Sequence, residues 1–316
     1  MNALADVSVA LVQLVGLVLG GPVLVGLMRK VRARLEGREG ARITQPLADL
    51  RKLLTKQRVR PDESSWVFAA APVVLVATTL VVGVLAPLVS THPPFAYSAD
   101  FFAVVLVLLV GSVFLALGAL DTGTAFGGMG SSRAMTVGAL AEPALLVAIL
   151  ALSIPARTSN LPALVHGGLT QPSLIASPPH ILALLSLLIV ILAESGRLPV
   201  DNPATHLELT MIHEAMVLEY AGPDLALVSL GESMRLAVLL GLFVNLSLPW
   251  GIATGTGPGW LALGLVALAA KVALVGAGVA VFEVFSAKLR LFRLPELLAG
   301  SFLLAVLAAV TAVVIR

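Results

Sequence analysis

The sequence predicts an all-α protein that crosses a membrane about eight times, and three observations carry that reading. Of its 316 residues, 58% are hydrophobic and only 12% charged, with a mean hydropathy of +1.01. A water-soluble domain of this length needs far more polar surface. The apolar residues fall into windows of about 20, the length of helix that spans a hydrocarbon core. The charges collect between those windows: segment 29–65 alone holds 11 of the 20 Lys and Arg.

The windows place spans near 5–28, 66–89, 100–120, 138–155, 179–195, 233–250, 259–281 and 296–315. Backbone groups in lipid must bond within the chain, so each is expected to be a helix. The first, "MNALADVSVALVQLVGLVLGGPVLVGLM", is apolar for too long to be a signal-peptide core, and its first basic residue is Arg29. It reads as a retained span. The fourth and fifth are short. No internal repeat is evident, which argues against an inverted-repeat transporter. The chain is expected to be one membrane domain, 1–316, with a basic loop at 29–65 and an acidic loop at 196–232.

Basic residues also orient the spans. If 29–65 is cytoplasmic, so are 121–137, 196–232 and 282–295, which add Arg133, Arg197, Arg235, Lys288, Arg290 and Arg293. The other side keeps Arg157 and Arg316, and eight spans put both termini outside. Loops 90–99 and 156–178 on that side read as plain connectors. The absence of cysteine excludes disulfides, iron–sulfur clusters and thiolate metal sites within this chain.

Four stretches carry unusual chemistry. In "GREGARITQPLADLRKLLTKQRVRPDESSW", Leu47, Leu50, Leu53 and Leu54 form a helical stripe flanked by Arg51, Lys52 and Lys56. That pattern suits a helix on the membrane surface, either as an anchor to anionic lipid or as a docking face for a soluble partner. In "LDTGTAFGGMGSSRAMTVGALAEPALL", Gly127, Gly128 and Gly130 permit tight turns, and no Gly-Lys-Ser/Thr follows to make a phosphate loop. Arg133 is expected to hold a partner or pair with Asp121. Glu142, just before Pro143, reads equally as a helix-start cap and as a proton-handling carboxylate.

The third stretch, "ESGRLPVDNPATHLELTMIHEAMVLEY", sets Glu194, Asp201, Glu208, Glu214 and Glu219 beside one arginine, Arg197. A helix is expected from about Ala204 to Tyr220, which brings Glu208 and Glu219 within about 20° of one face. His206 and His213 make a weak metal pair; a bystander or supporting role fits two histidines better. The bland reading of the acids is a solvated loop helix. Against it, clustered carboxylates repel, which raises pKa values and suits proton transfer. The fourth is Lys271, in mid-span, where insertion costs roughly 2.5–3.5 kcal/mol and a buried partner or water path is expected. Glu283 follows near the cytoplasmic end, then "AKLRLFRLPE". No nucleophile–base constellation, metal site or cofactor motif stands out, and the spans make lipid or protein a better partner for the basic loop than nucleic acid.

"QPLADLRKLLTKQ" resembles the first cytoplasmic loop of the proximal membrane subunit of respiratory complex I, and "AESGRLPVD" followed by "LEL" and "EY" resembles that family's acidic loop. With the eight-span layout, the resemblance covers nearly the whole chain. "LDTGTAFGGMGSSR" and "SAKLRLFRLPE" are similar to the branch found in group 4 [NiFe] hydrogenases of the formate-hydrogenlyase type. Ala204, Thr205 and His206 stand where quinone-reducing members carry further carboxylates, and about three extra residues separate Glu208 from Glu219.

The resemblance implies a non-catalytic subunit of a bacterial or archaeal cytoplasmic-membrane oxidoreductase. It would join a hydrogenase-like large subunit and an iron–sulfur small subunit to antiporter-like membrane subunits. The [NiFe] centre and the clusters would sit in those partners, with none in this chain. Coupling residues are then Glu142, Glu194, Asp201, Glu208, Glu214, Glu219, Lys271 and Glu283. Docking residues are Arg38, Arg42, Gln45, Asp49, Lys52, Arg133, Arg197, Arg290 and Arg293. The alternatives are a quinone-binding complex I subunit, a stand-alone ion transporter and a purely structural anchor.

Overall fold

The computed structural model describes residues 3–201, 211–255 and 257–314, with side chains from Asp6 onward. The elements are helices: α1 (Ala3–Leu35), α2 (Gln45–Leu54), α3 (Trp66–Leu85), α4 (Phe101–Asp121), α5 (Ala125–Ala156), α6 (Leu161–Thr170), α7 (Pro172–Ile175), α8 (Pro178–Glu194), α9 (His213–Val217), α10 (Gly222–Ser247), α11 (Pro258–Phe285) and α12 (Leu294–Val314). Among the described residues, strand pairing amounts to two isolated bridges, Ser90 with Ala253 and Asp100 with Asn160.

Seven helices, α1, α3, α4, α5, α10, α11 and α12, are long and apolar enough to cross a membrane. The shorter apolar α8, at 17 residues, is the eighth. Side-chain oxygens of Ser65, Asp100 and Thr124 accept backbone N–H groups at the starts of α3, α4 and α5. Burial of the apolar window runs from 67% in α10 to 22% in α11, so α10 is the central post and α11 an outer one. α10 packs on α1, α3 and α11; α5 packs on α4, α8 and α12. One end of the bundle carries α2, the acidic segment and the α11–α12 linker, and is called the basic end below.

Four expectations change. Segment 121–137 is not a loop: α5 runs without a break from Ala125, because Gly127 and Gly130 are contact surfaces and not turns. A methyl on Gly130 would lie 2.9 Å from Ala215 Cβ, and one on Gly127 would strike the Ala119 carbonyl. The loop 196–232 ends earlier, since α10 begins at Gly222 and places Asp224 and Glu232 within the helix. Loop 156–178 is no plain connector; α6 buries Leu161, Leu164 and Val165. The helix expected over 204–220 is reduced, among the described residues, to α9 at 213–217, with Met211 and Ile212 non-helical. The angular relation of Glu208 and Glu219 therefore lacks its continuous helix, and Glu208 and His206 lie outside the described residues.

Near the opposite end, polar side chains hold the chain where α3 stops. Gln13 Nε2 donates to the Gly83 carbonyl at 2.9 Å, and its Oε1 accepts from Val89 N at 3.3 Å. Asn245 Nδ2 donates to the Pro87 and Leu88 carbonyls, each at 2.8 Å. Lys271 Nζ donates to Asn245 Oδ1 at 2.7 Å and to the Leu248 carbonyl at 2.9 Å. The expected partner of Lys271 is thus the C-terminal end of α10, where a cation also meets the negative end of the helix dipole. Non-helical backbone between apolar helices survives because these groups satisfy it.

Asn245→Ala removes the partner of two carbonyls and of Lys271. Leaving buried groups unsatisfied costs about 1–3 kcal/mol each. The purified variant is expected to lose thermal stability in detergent by several degrees; an unchanged midpoint overturns this account.

Candidate functional site

At the basic end the helices part around a cavity of about 570 Å³. Its wall is mixed. Pro22, Val25, Leu50, Leu53, Leu109 and Val113 contribute apolar surface. Glu142, Glu194, Arg197, Asp201, His213, Glu214, Glu232 and Arg235 contribute ionisable groups. The amphipathic α2 lies over it, and Leu50 and Leu53 of the predicted stripe line it, while Leu54 is exposed.

These ionisable groups arrive from four helices, α5, α8, α9 and α10, and from the loop after α8. Glu142 lies well inside α5, whose cap is Thr124, so its reading as a helix-start cap falls. Pro143 cannot donate to the Ala139 carbonyl one turn back, and Ala139 lines the same cavity. Glu194 closes α8 and forms an ion pair with Arg235 of α10, which also donates to Ser112 Oγ on α4. Arg235 is 9% exposed, so this pair ties three helices in a largely dry place. Glu232 stands one turn before Arg235 on α10, with its buried Oε1 unpartnered.

The acidic segment is held as a structured loop. Asp201 is 2% exposed; its Oδ1 accepts from Lys288 Nζ at 3.0 Å and its Oδ2 from the backbone N of Ile212 and His213, each at 3.1 Å. Arg197 turns inward to Glu283, 3.5 Å away at the end of α11. Leu289 N donates to the Pro199 carbonyl at 2.9 Å. The end of α11 and the linker after it are thus stapled to the acidic loop by two ion pairs and one backbone bond. Arg133 Nη1 donates to the Met211 carbonyl at 3.1 Å. Asp121 instead accepts from Ser65 N at 2.6 Å and Phe68 N at 3.3 Å, so it serves the start of α3.

Among the described residues, His213 is the histidine in the cavity lining. Burial pushes its imidazole below the ordinary range; Asp201 and Glu194 oppose that, while Arg235 and Arg197 reinforce it. Among the described residues no three His, Cys, Asp or Glu gather as a metal site. Burial pushes the Tyr220 phenol up, and its ring stacks on Phe68 at 4.2 Å, with the hydroxyl donating to the Phe68 carbonyl.

Of the coupling candidates, Glu142, Glu194, Asp201 and Glu214 share the cavity wall, and Glu283 joins through Arg197. Glu219 is not in the lining, and Lys271 lies toward the far end, capping α10. Of the docking candidates, Arg38, Arg42, Gln45, Lys52, Arg290 and Arg293 are exposed. Asp49 accepts from Gln45 Nε2 at 2.9 Å and lines the cavity. Arg197 is turned toward Glu283, and Arg133, half-buried, donates to the Met211 carbonyl. Sequence reasoning passed over Glu232 and saw Arg235 only as one more positive charge. The signal was present, a Glu and an Arg three apart in "LVSLGESMRLAVLL", but it appeared to lie at a span boundary.

Comparison with known proteins places this geometry. The family model described as NADH dehydrogenase matches residues 7–314. Formate hydrogenlyase subunit 4 of Escherichia coli K12 is 33% identical over 305 residues, covering 95% of this chain and 97% of that one. Hydrogenase-4 component C of the same organism is 34% identical over 269 residues, covering 84% and 83%. A chain of the membrane-bound sulfane sulfur reductase, an archaeal respiratory membrane complex, superposes with a TM-score of 0.78 over 97% of this chain and 99% of that one, at 20% identity, and so shares the fold.

Two outcomes test the site. Arg235→Met strands Glu194 in a dry setting and is expected to cost about 3–5 kcal/mol, while Arg235→Met with Glu194→Gln recovers much of that. Equal losses in single and double variants, read by thermal melts, overturn the pair's role. His213, harder to protonate in the fold than its ordinary 6.5, stabilises the segment fully above that pH and loses the contribution as pH falls through the lowered value. Amide exchange over 211–217 is expected to quicken on acidification, with that component absent in His213→Gln; matching pH curves contradict it.

Proposed function

The chain belongs to the NADH dehydrogenase family, and from that membership we propose that it is the membrane-anchoring and ion-coupling subunit of an energy-converting hydrogenase of the formate-hydrogenlyase type. The observation that carries the reading is the single cavity wall running from the acidic segment at the basic end to Glu142 inside the bundle. Ionisable side chains inside spanning helices mark ion paths far more often than scaffolding. The similarity to formate hydrogenlyase subunit 4 over nearly the full length supports the hydrogenase branch.

In this reading the basic end faces the cytoplasm of a bacterial or archaeal cell membrane, and both termini lie outside. The exposed Arg38, Arg42, Lys52, Arg290 and Arg293 meet a soluble arm made of a hydrogenase-like large subunit and an iron–sulfur small subunit. The [NiFe] centre and the clusters belong to those partners. Antiporter-like subunits continue the membrane arm. Glu142, Glu194, Glu214 and Glu232 pass protons or the charge changes that drive ion movement. Arg197, Asp201, Glu283 and Lys288 fix the loop that carries the path.

A second reading, a quinone-binding subunit, rests on the cavity itself. At about 570 Å³, with apolar and ionisable side chains both in its lining, it suits an amphiphile. A photoreactive quinone analogue that labels α2 or the 195–214 segment would favour it.

The deciding experiment is a tagged pull-down from mild-detergent membranes, with mass spectrometry and a hydrogen–viologen assay on the eluate. Recovery of the large, iron–sulfur and antiporter-like subunits with hydrogenase activity is expected. The chain alone, stable and monodisperse, overturns the complex. In the intact complex, Glu142→Gln and Glu232→Gln are expected to cut ion movement per turnover by at least about tenfold, the scale of a lost proton-transferring group, with assembly retained. Normal ion movement in both variants removes these carboxylates from the path.

A further inference from the structure

A second cavity, of about 160 Å³, lies between α1, α10 and α11 and shares no residue with the first. On α1 its lining recurs every three or four residues, at Gln13, Gly16, Gly20, Val23 and Leu27. It is therefore a groove along one helix face. From Gln13 to Leu27 it runs about 21 Å, against a hydrocarbon core of about 30 Å. The facing wall is α11, through Leu268, Ala269, Val272 and Ala273. The two helices close on each other at two levels. A methyl on Gly16 would lie 2.9 Å from Leu265 Cδ1, and one on Gly276 would lie 2.6 Å from Leu24 Cδ1. Between those levels they part, and a methyl on Gly20 would meet nothing within 4 Å.

The lining decides what can enter. Gln13 is its one polar side chain, and the amide is already bonded to the Gly83 and Ala86 carbonyls and to Val89 N. A water molecule there would lack the two to four polar partners that hold one, whereas a dry apolar cavity of this size takes an apolar guest. The rim is open to what surrounds the bundle: Gly20 and Ala269 are exposed, as are their neighbours Leu19 and Val266. For a chain that spans a membrane, those surroundings are hydrocarbon. A partner helix is too thick to enter, since its diameter with side chains is about 10–12 Å. The groove fits a single hydrocarbon chain.

The same helix face says what that chain is attached to. Continued past Leu27 at the same spacing, it reaches Lys30 and Arg34, at the basic end of α1. Among the described residues neither side chain forms an ion pair, and the nearby Glu36 is taken by Arg32 and Arg38. The negative end of the α1 dipole offsets only about half a charge, so a cationic surplus remains where the groove meets the membrane surface. We propose that the groove is a phospholipid site: it holds one acyl chain of an anionic phospholipid whose head group lies against Lys30 and Arg34. The lipid seals α11, the least buried of the long spans, against α1 and α10. The proposal does not depend on the coupling role.

The test places the full chain, with whatever subunits purify with it, in phosphatidylcholine vesicles. A trace of phosphatidylglycerol carries a photoreactive diazirine on one acyl chain. After illumination, peptide mass spectrometry is expected to find saturable labelling of α1 between Gly16 and Leu27 and of α11 between Leu265 and Ala273. Gly20→Leu with Ala269→Leu fills the groove with better helix formers than the residues lost at Gly20. It is expected to abolish that labelling and to leave labelling of the exposed Leu303 and Leu307 on α12 unchanged. Lys30→Gln with Arg34→Gln is expected to lower groove labelling by phosphatidylglycerol at least about fivefold, with labelling by phosphatidylcholine unaffected. An unlabelled groove overturns the proposal, as does labelling that never saturates or that persists in the filled variant. Equal labelling by the two head groups in the wild-type chain overturns it too, and so does displacement of the label by an unlabelled quinone.

Discussion

A charge taken into a lipid-embedded bundle must be answered by the chain itself, and the contact between Glu194 and Arg235 is where this protein meets that demand. It joins the end of α8 to α10, and through Ser112 to α4, around a largely buried guanidinium. Removing either partner leaves a bare charge where water is scarce. Glu194, Arg235 and Ser112 all line the cavity that α2 covers. Around it the same rule is applied again: Arg197 to Glu283, Lys288 to Asp201, and Arg58 and Arg60 to the buried Asp224. Among the described residues, buried side-chain atoms without a hydrogen-bond partner occur on His213, Glu232, Arg235 and Glu283, the first three of them residues of the cavity wall.

The spans, their number and the basic end were legible because hydropathy over 20 residues is set by lipid and hardly at all by packing. The boundaries were less so. "AFGGMGSSR" looks like a loop, since Gly and Ser disfavour isolated helices. In the fold, those same small residues let α5 lie against α9 and the end of α4, and tertiary contact overrides propensity. The surface helix α2 was legible from four leucines, yet nothing local says that two of them roof a cavity.

The acidic stretch shows a second limit. Read linearly, five carboxylates face one arginine and must repel. In space, Lys288 is 87 residues from Asp201, and Arg235 is 41 from Glu194. Counter-charges from distant segments hold Asp201 and Glu194 individually. Lys271 is the reverse case: an isolated mid-span charge suggests a conduit, and the fold uses it to close the end of a helix. In neither case does sequence spacing reveal the partner, since it lies on another helix.

Gln13 carries a consequence for how the protein is made. Its amide is 2% exposed in the finished bundle and bonded wholly to backbone groups at the end of α3 and just beyond it. While the first helix is alone in the bilayer, that amide has no companion and faces hydrocarbon. The second spanning helix and the turn after it bring the groups that satisfy it. The first two spans are therefore suited to leave the insertion machinery as a pair, with the leading helix detained until its successor emerges.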